Sequence, residues 1–395
     1  MATSAGRRLF LMLGCLVGML TVTVIINWVV NPYGVWPTTV VSRAYRLTGA
    51  GADELGERLT TPYRLRVEQP VTVLVGSSRV LKGMVVDQAG HEAFFNAGLS
   101  GATLTEVAGV LRLATVNPHL QHVIWGVEFY AFDEKYVPFD PQTRRRLEAD
   151  ERRALTMRIT ETLFNLNALR DSRRVLWKAA RLQKSGSLTD PVPWTEDLIK
   201  ARFARVSQRG LIETNEATIR NQLRNWIVSY VDYRPSPRQF SLFQETVADL
   251  RGTGRDVILF VPPLSDCEME ALDQSGGWDA FQRWKRDLLK VGPYWDYSGY
   301  GKLDLFPELF TDVPHFKPAV GQVILRRALG LDCAGCGEKA QIVLDAGVWV
   351  DATTIDAYLV RQEAARAEVR PRNTRCTGVI ERMLAARAAT ISRSP

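Results

Sequence analysis

Val71-Thr72-Val73-Leu74-Val75-Gly76-Ser77-Ser78-Arg79 decides how this chain is read. Val71 to Val75 is an apolar, β-branched run, the signature of a strand buried on both faces in a parallel sheet. Gly76 ends the strand and permits a tight turn. Two hydroxyls and an arginine follow at once. A serine at the carboxyl end of such a strand points into the crevice where open α/β sheets bind ligands. The plainer reading is a strand end followed by a serine helix cap.

A distant stretch bears on the choice: Phe310-Thr311-Asp312-Val313-Pro314-His315-Phe316-Lys317-Pro318. Of the 4 histidines, only His315 follows a carboxylate by three positions in a turn-like, proline-containing segment. A serine hydroxyl becomes a nucleophile when a base takes its proton. The base in turn needs a group that holds its tautomer. Ser78, His315 and Asp312 supply these three parts in the order Ser…Asp…His. A solvated loop with a capping aspartate is the alternative for Asp312 and His315 taken alone.

These residues resemble the SGNH (GDSL-type) hydrolase superfamily, in particular its membrane-anchored members linked to O-acylation of cell-surface polysaccharides. Gly76-Ser77-Ser78 is similar to the family's Gly-Asp-Ser block, with Ser77 in the Asp place and Ser78 as nucleophile. Asn96-Ala97-Gly98-Leu99-Ser100-Gly101 resembles the second block, whose glycine N–H helps to form the oxyanion hole. Asp312 and His315 match the final Asp-x-x-His. The third block departs: in Trp125-Gly126-Val127-Glu128-Phe129-Tyr130 the family's Asn position holds Glu128. A carboxylate donates no hydrogen bond unless it is protonated. The resemblance covers residues 70–130 and 240–330. It implies a flavodoxin-like three-layer sandwich with a mainly parallel sheet. It also implies a Ser78–His315–Asp312 triad with oxyanion donors at the Ser78 and Gly98 N–H groups. Arg79, Asn96, Glu128 and Trp295 are expected to line the site. No metal or organic cofactor is implied. The implied partners are a polysaccharide or glycan acceptor and a membrane-embedded acyl donor protein.

Strand and helix signals alternate around the first stretch. Thr103 to Ala114 shows helical spacing through Leu104, Val107, Val110, Leu111 and Ala114, and His122 to Gly126 reads as the next strand. The pattern resumes with a helix from Pro237, a strand over Val257–Val261, a helix over Asp279–Leu289, a last strand at Tyr294–Gly299 and a final helix over Pro318–Leu329. This order argues for a parallel sheet with right-handed crossovers. Between the two parts, helical stretches are expected over Leu155–Leu169, Glu196–Arg205 and Glu216–Val231. They read as an insertion that forms either a lid over the site or a packing cap. The expected division is therefore 1–31 anchor, 32–69 connector, 70–132 and 237–331 the two parts of the α/β domain, 133–236 helical insertion, and 332–395 a tail.

Leu9 to Val30 is about 22 nearly uncharged positions, enough to cross a hydrocarbon core of roughly 30 Å as a helix. Arg7 and Arg8 precede it, and no basic residue follows until Arg43. The positive-inside rule then puts the N-terminus in the cytoplasm and the remainder outside it. The expected location is a bacterial inner membrane, single-pass, with the α/β domain in the periplasm. A cleaved signal peptide, giving a secreted esterase, is the rival. The formal charge of +7 suits anionic glycans or lipid head groups. Behind an export signal, and without a recognition motif, nucleic acid is not expected.

Cys333-Ala334-Gly335-Cys336 would be half a zinc site, but a closed site needs four ligands and only Cys376 lies nearby. In an oxidising compartment a disulfide from Cys376 to Cys333 or Cys336 is expected. Cys267 is left over, and Cys15 lies within the apolar run.

Overall fold

The computed structural model describes residues 4–36, 56–84, 94–136, 140–184, 216–331, 333–372 and 376–391. The expected helix Glu196–Arg205 lies outside them. The described chain separates into two units, one built on residues 1–69 and 140–192 and the other on 70–86, 93–139 and 193–395.

The first unit begins with α1 (Ser4–Val30). Its stretch Gly6–Val30, 25 residues that include an 18-residue window of mean hydropathy 2.6, is long and apolar enough to cross a membrane. α2 (Glu57–Glu68) follows, within the segment expected as a connector. α5 (Pro141–Leu147), α6 (Glu151–Thr162) and α7 (Leu166–Lys184) complete the unit. The apolar stripe read from Leu155 to Leu169 is thus divided between two helices, with the break at Leu163–Asn165. Val30, Tyr33, Val35, Tyr63, Ala168 and Val175 form this unit's apolar cluster. Polar bonds surround it. The Tyr63 hydroxyl donates to Glu161 (2.7 Å), which also accepts from Arg146 Nε (2.8 Å).

In the second unit β1 (Thr72–Val75), β2 (Phe94–Asn96), β3 (His122–Gly126), β4 (Asp256–Val261), β5 (Tyr294–Asp296) and β6 (Val348–Val350) form one sheet in the order β2-β1-β3-β4-β5-β6. All pairs are parallel except β5–β6. The period-2 alternation of strands sends neighbouring side chains to opposite faces. Leu74, Ile124 and Phe260 join the cluster that contains Val80 from α3 (Ser78–Gly83), Met84 just after it, and Val320, Val323 and Ile324 from α12 (Pro318–Ala328). On β3, the neighbouring Trp125 meets Phe243 edge to face, ring centroids 4.9 Å apart. Phe243 belongs to α9 (Pro237–Gly252), which packs with α4 (Leu104–Ala114). Helices therefore cover both faces, which is why β1 and β3 are apolar without alternation. α4 starts on a reciprocal cap between Thr103 and Glu106, and α9 on Ser236 followed by Pro237.

The chain expected as a helical insertion is shared between the units: α5 to α7 lie with α1, whereas α8 (Glu216–Tyr230) lies in the sheet unit. The strand at Tyr294 is not the last, nor is the helix at Pro318. α13 (Glu338–Ala346), β6, α14 (Ile355–Val369) and α15 (Thr377–Ile391) follow, and β6 adds the antiparallel sixth strand. α10 (Asp266–Gln274) and α11 (Trp278–Leu288) lie between β4 and β5. The cysteine pairing differs from expectation. Cys376 is bonded to Cys267 across 109 positions, and Cys333 to Cys336. α8, α10 and α15 share an apolar cluster that contains both Cys267 and Cys376, so packing brings the partners together where proximity along the chain pointed to Cys333.

Candidate active site

Strand order reverses at β1, which lies between β2 and β3. Crossovers leaving such a point run to opposite faces and open a crevice at the strands' carboxyl ends. Gly76 turns the chain there with φ +150, and a Cβ would sit 2.8 Å from the Gly126 carbonyl oxygen. Ser77 caps α3 by accepting the Arg79 N–H (3.1 Å), so Ser78 is the first residue of that helix. Of the two hydroxyls, Ser77 is buried and Ser78 is half-buried at the crevice.

The second stretch folds as a hairpin-like turn. Phe310 bridges Phe316, and Thr311 N–H donates to the His315 carbonyl (2.8 Å). Asp312 Oδ1 accepts the His315 backbone N–H (3.0 Å) and lies 2.6 Å from its Nδ1. His315 Nε2 lies 2.9 Å from Ser78 Oγ. With Asp312 on Nδ1, the proton is held there and Nε2 is left to accept from the Ser78 hydroxyl. Ser78, His315 and Asp312, 237 positions apart at the extremes of the serine–histidine contact, thus form a continuous hydrogen-bonded line. Chemically, the arrangement can withdraw a proton from Ser78 and stabilise the imidazolium that results.

Beneath this line lies a buried ion cluster. Arg79 is 1 % exposed. Its Nη1 pairs with Glu128 and its Nη2 with Glu268. Its Nε donates to the Pro314 carbonyl (2.9 Å), immediately before His315. Its guanidinium lies over the Trp226 ring, 4.7 Å from the centroid. The Tyr230 hydroxyl donates to Glu268 (2.9 Å), and the Ser77 hydroxyl donates to Glu128 Oε1 (2.5 Å). Burial pulls Arg79 toward neutrality, but Glu128 and Glu268 outweigh it and hold the guanidinium charged. Burial pushes the Glu128 carboxyl above the usual range, although Arg79 and Ser77 favour its charged form.

The other expected site residues separate into distinct roles. Glu128 faces Arg79 and Ser77 as an acceptor. The Asn96 side-chain amide donates to the Val80 and Met84 carbonyls (2.9 and 2.8 Å), and its oxygen accepts the Gly98 N–H (2.9 Å). The Gly98 N–H, expected as an oxyanion donor, is therefore already engaged. Gly98 has a packing reason as well, since a Cβ would stand 2.6 Å from the Leu81 backbone nitrogen. Trp295 is not gathered with the triad: its ring packs near Trp349 (5.1 Å between centroids) and under the Arg327 guanidinium (4.4 Å). Sequence reasoning passed over Glu268, Tyr230, Trp226 and Gln222, whose Oε1 accepts the Val313 N–H (3.1 Å) inside the turn that carries Asp312 and His315. An arginine beside the serine was the available signal, but its partners Glu128, Trp226, Glu268 and Pro314 lie on four other segments.

Asp266, Cys267 and Cys376 hold ligand-type atoms within 4.8 Å of one another. The two sulfurs are joined in a disulfide, which removes the thiolates a metal would need. No family model and no curated protein matches the chain.

Proposed function

We propose that this chain is a serine-dependent acyl-ester hydrolase or O-acyltransferase of the SGNH type, acting on a cell-surface or exported polysaccharide. The observation that carries the reading is the line Ser78 Oγ–His315 Nε2 (2.9 Å) and His315 Nδ1–Asp312 Oδ1 (2.6 Å) at the mouth of a doubly wound sheet. The strand order β2-β1-β3-β4-β5 is also that of flavodoxin-like folds. Ser78 attacks an acyl carbonyl as His315 takes its proton. The tetrahedral oxyanion draws on the Ser78 N–H at the start of α3, with Gly98 contributing if its bond to Asn96 is shared or released. His315 then returns the proton to the leaving group. The acyl group, held as an ester on Ser78, passes to a sugar hydroxyl or to water. O-acetyl transfer is favoured by the resemblance and by the apolar α1, read as an inner-membrane anchor with the domain in the periplasm. In this setting a membrane-embedded protein supplies the acyl group.

A second reading, a non-catalytic membrane-anchored carbohydrate-binding or scaffold protein on the same fold, draws on one observation: Glu128 and Gly98 offer no ready oxyanion donors. A fluorophosphonate probe separates the two. The enzyme is labelled at Ser78 and loses labelling in Ser78→Ala, whereas an unlabelled, folded wild type would reject the catalytic reading.

A further inference from the structure

α7 offers a surface whose chemistry matches one partner. One face of this helix packs against the end of α1. Ala168 and Val175 enter the apolar cluster with Val30, and the Ser172 hydroxyl donates to Asn27 Oδ1 (3.0 Å). The Asn27 amide in turn donates to the Leu163 and Asn165 carbonyls (2.9 and 3.2 Å). One side of the last turns of α1 is thus covered by protein, with Thr23 and Asn27 buried there, while Ile25, Trp28 and Val29 stay exposed.

At 100° per residue, Leu166, Arg170, Arg173 and Trp177 fall on the side of α7 opposite that contact. All four are exposed, Leu166 at 75 % and Trp177 at 62 %. Arg174 and Leu176 flank them, also exposed. Phe164, just before the helix, is 55 % exposed. Elsewhere outside α1, the described chain exposes large apolar side chains mostly singly. A face that mixes tryptophan and leucine with arginine suits neither water alone nor a hydrocarbon interior. It suits the boundary between them, where aromatic rings and apolar side chains reach toward the acyl region and guanidinium groups meet phosphate.

Read as a span, α1 puts α7 beside one end of an apolar stretch of membrane-crossing length. The 25 residues of Gly6–Val30 rise about 37 Å, roughly 7 Å more than a hydrocarbon core. Gly6, Arg7 and Arg8 at the start of the span take up more than half of that surplus, and α7 packs against the last turns at the other end, through Asn27 and Val30.

We propose that α7 lies in the head-group layer of the membrane that α1 crosses, with Arg170, Arg173 and Arg174 on anionic phospholipid phosphates and Leu166 and Trp177 inserted among the upper acyl carbons. The proposal rests on the reading of α1 as an anchor. α7 would then fix the height of the first unit above the bilayer, because a helix held at both the anchor and the head groups resists tilting away.

The test is spin-label depth measurement on the full chain reconstituted in bilayers of phosphatidylcholine with and without phosphatidylglycerol. A label on the native Cys15 reports α1. Trp177→Cys and, separately, Leu166→Cys, each in a Cys15→Ser background, report α7, and Arg145→Cys in the same background serves as the water reference. The expected result is a deep label at 15 and labels at 166 and 177 shielded from a water-soluble nickel chelate relative to 145. The α7 labels should shift toward water when Arg170, Arg173 and Arg174 are all changed to Gln, and more so in the phosphatidylglycerol bilayers. A deep label at 15 with both α7 labels as open to the chelate as 145 would overturn the lipid surface and leave a protein partner as the occupant. Shielding that ignores both lipid charge and the arginines would overturn the phosphate contact. A water-exposed label at 15 would instead reject the anchor, and the lipid surface with it.

Discussion

Arg79 Nε donates to the carbonyl oxygen of Pro314 at 2.9 Å. The residue after the candidate nucleophile is thereby tied to the residue before the candidate base. The same guanidinium engages Glu128 and Glu268, so the relative position of Ser78 and His315 depends on one buried cation.

Replacing that cation separates placement from folding. Arg79→Met leaves two buried carboxylates without their partner and should cost about 3–5 kcal/mol of stability. Arg79→Lys keeps the charge but loses the planar fork, which cannot then serve Pro314 and both glutamates together. A misplacement of this order should lower kcat by about a hundredfold with KM little changed, because Arg79 is 1 % exposed and lies beneath the serine–histidine line. Turnover of an aryl acetate and a thermal melt measure the two effects. A folded Arg79→Lys variant with wild-type kcat would remove Arg79 from the positioning role.

Ser78→Ala and His315→Ala should each abolish turnover, since members of a triad act as one unit. Asp312→Asn should cost less than either. Ser77→Ala tests the neighbouring hydroxyl. It loses the cap on Arg79 N–H and the bond to Glu128, which predicts a stability loss of about 1 kcal/mol with activity retained. Aryl acetate turnover, with circular dichroism for folding, distinguishes these outcomes. Loss of activity in Ser77→Ala alone would move the nucleophile by one position.

Non-reducing peptide mapping should recover Cys267 linked to Cys376 and Cys333 linked to Cys336. The longer loop constrains the unfolded chain more, so Cys376→Ala should destabilise the sheet unit by about 2–5 kcal/mol. It should also loosen α15 from α10, which carries Glu268. Recovery of a Cys333–Cys376 peptide would contradict this pairing.

Lys302 sets a pH dependence. It is buried, donates to the Asp296 carbonyl (2.9 Å) and the Tyr358 hydroxyl (2.8 Å), and shares the Asp296 neighbourhood with Lys285. Burial pulls its ammonium down to about 7, against the attraction of Asp296. From about pH 7 to the ordinary lysine value near 10.5, the unfolded chain holds a proton that the folded chain has released. Stability contributed through this group therefore rises with pH across that window, by up to about 1.4 kcal/mol per unit, and is flat below it. Lys285, also lowered by burial, acts in the same direction and remains in a Lys302→Met variant. Denaturant midpoints below pH 7 and at about pH 8 and 9 should rise less steeply in Lys302→Met than in the wild type. Equal slopes would place the titration elsewhere.

The sequence by itself determined the parts whose physics is local. β1, β3 and β4 were legible because strands covered on both faces are uniformly apolar. α4 and α9 were legible from helical spacing, with Pro237 marking the start of α9. Ser78, Asp312 and His315 stood out because a strand-end serine and a histidine three residues after an aspartate are short patterns. The tertiary structure alone decided the rest. β6 is three residues long and too short to show a period, so the tail's place in the sheet depends on β5 beside it. Cys376 found Cys267 through packing of α8, α10 and α15, which no spacing encodes. Arg79 was visible next to Ser78, but its partners Glu128, Glu268 and Pro314 stand 49, 189 and 235 positions further on. A charge leaves water only where several oxygens converge on it, and that convergence is a property of the folded chain.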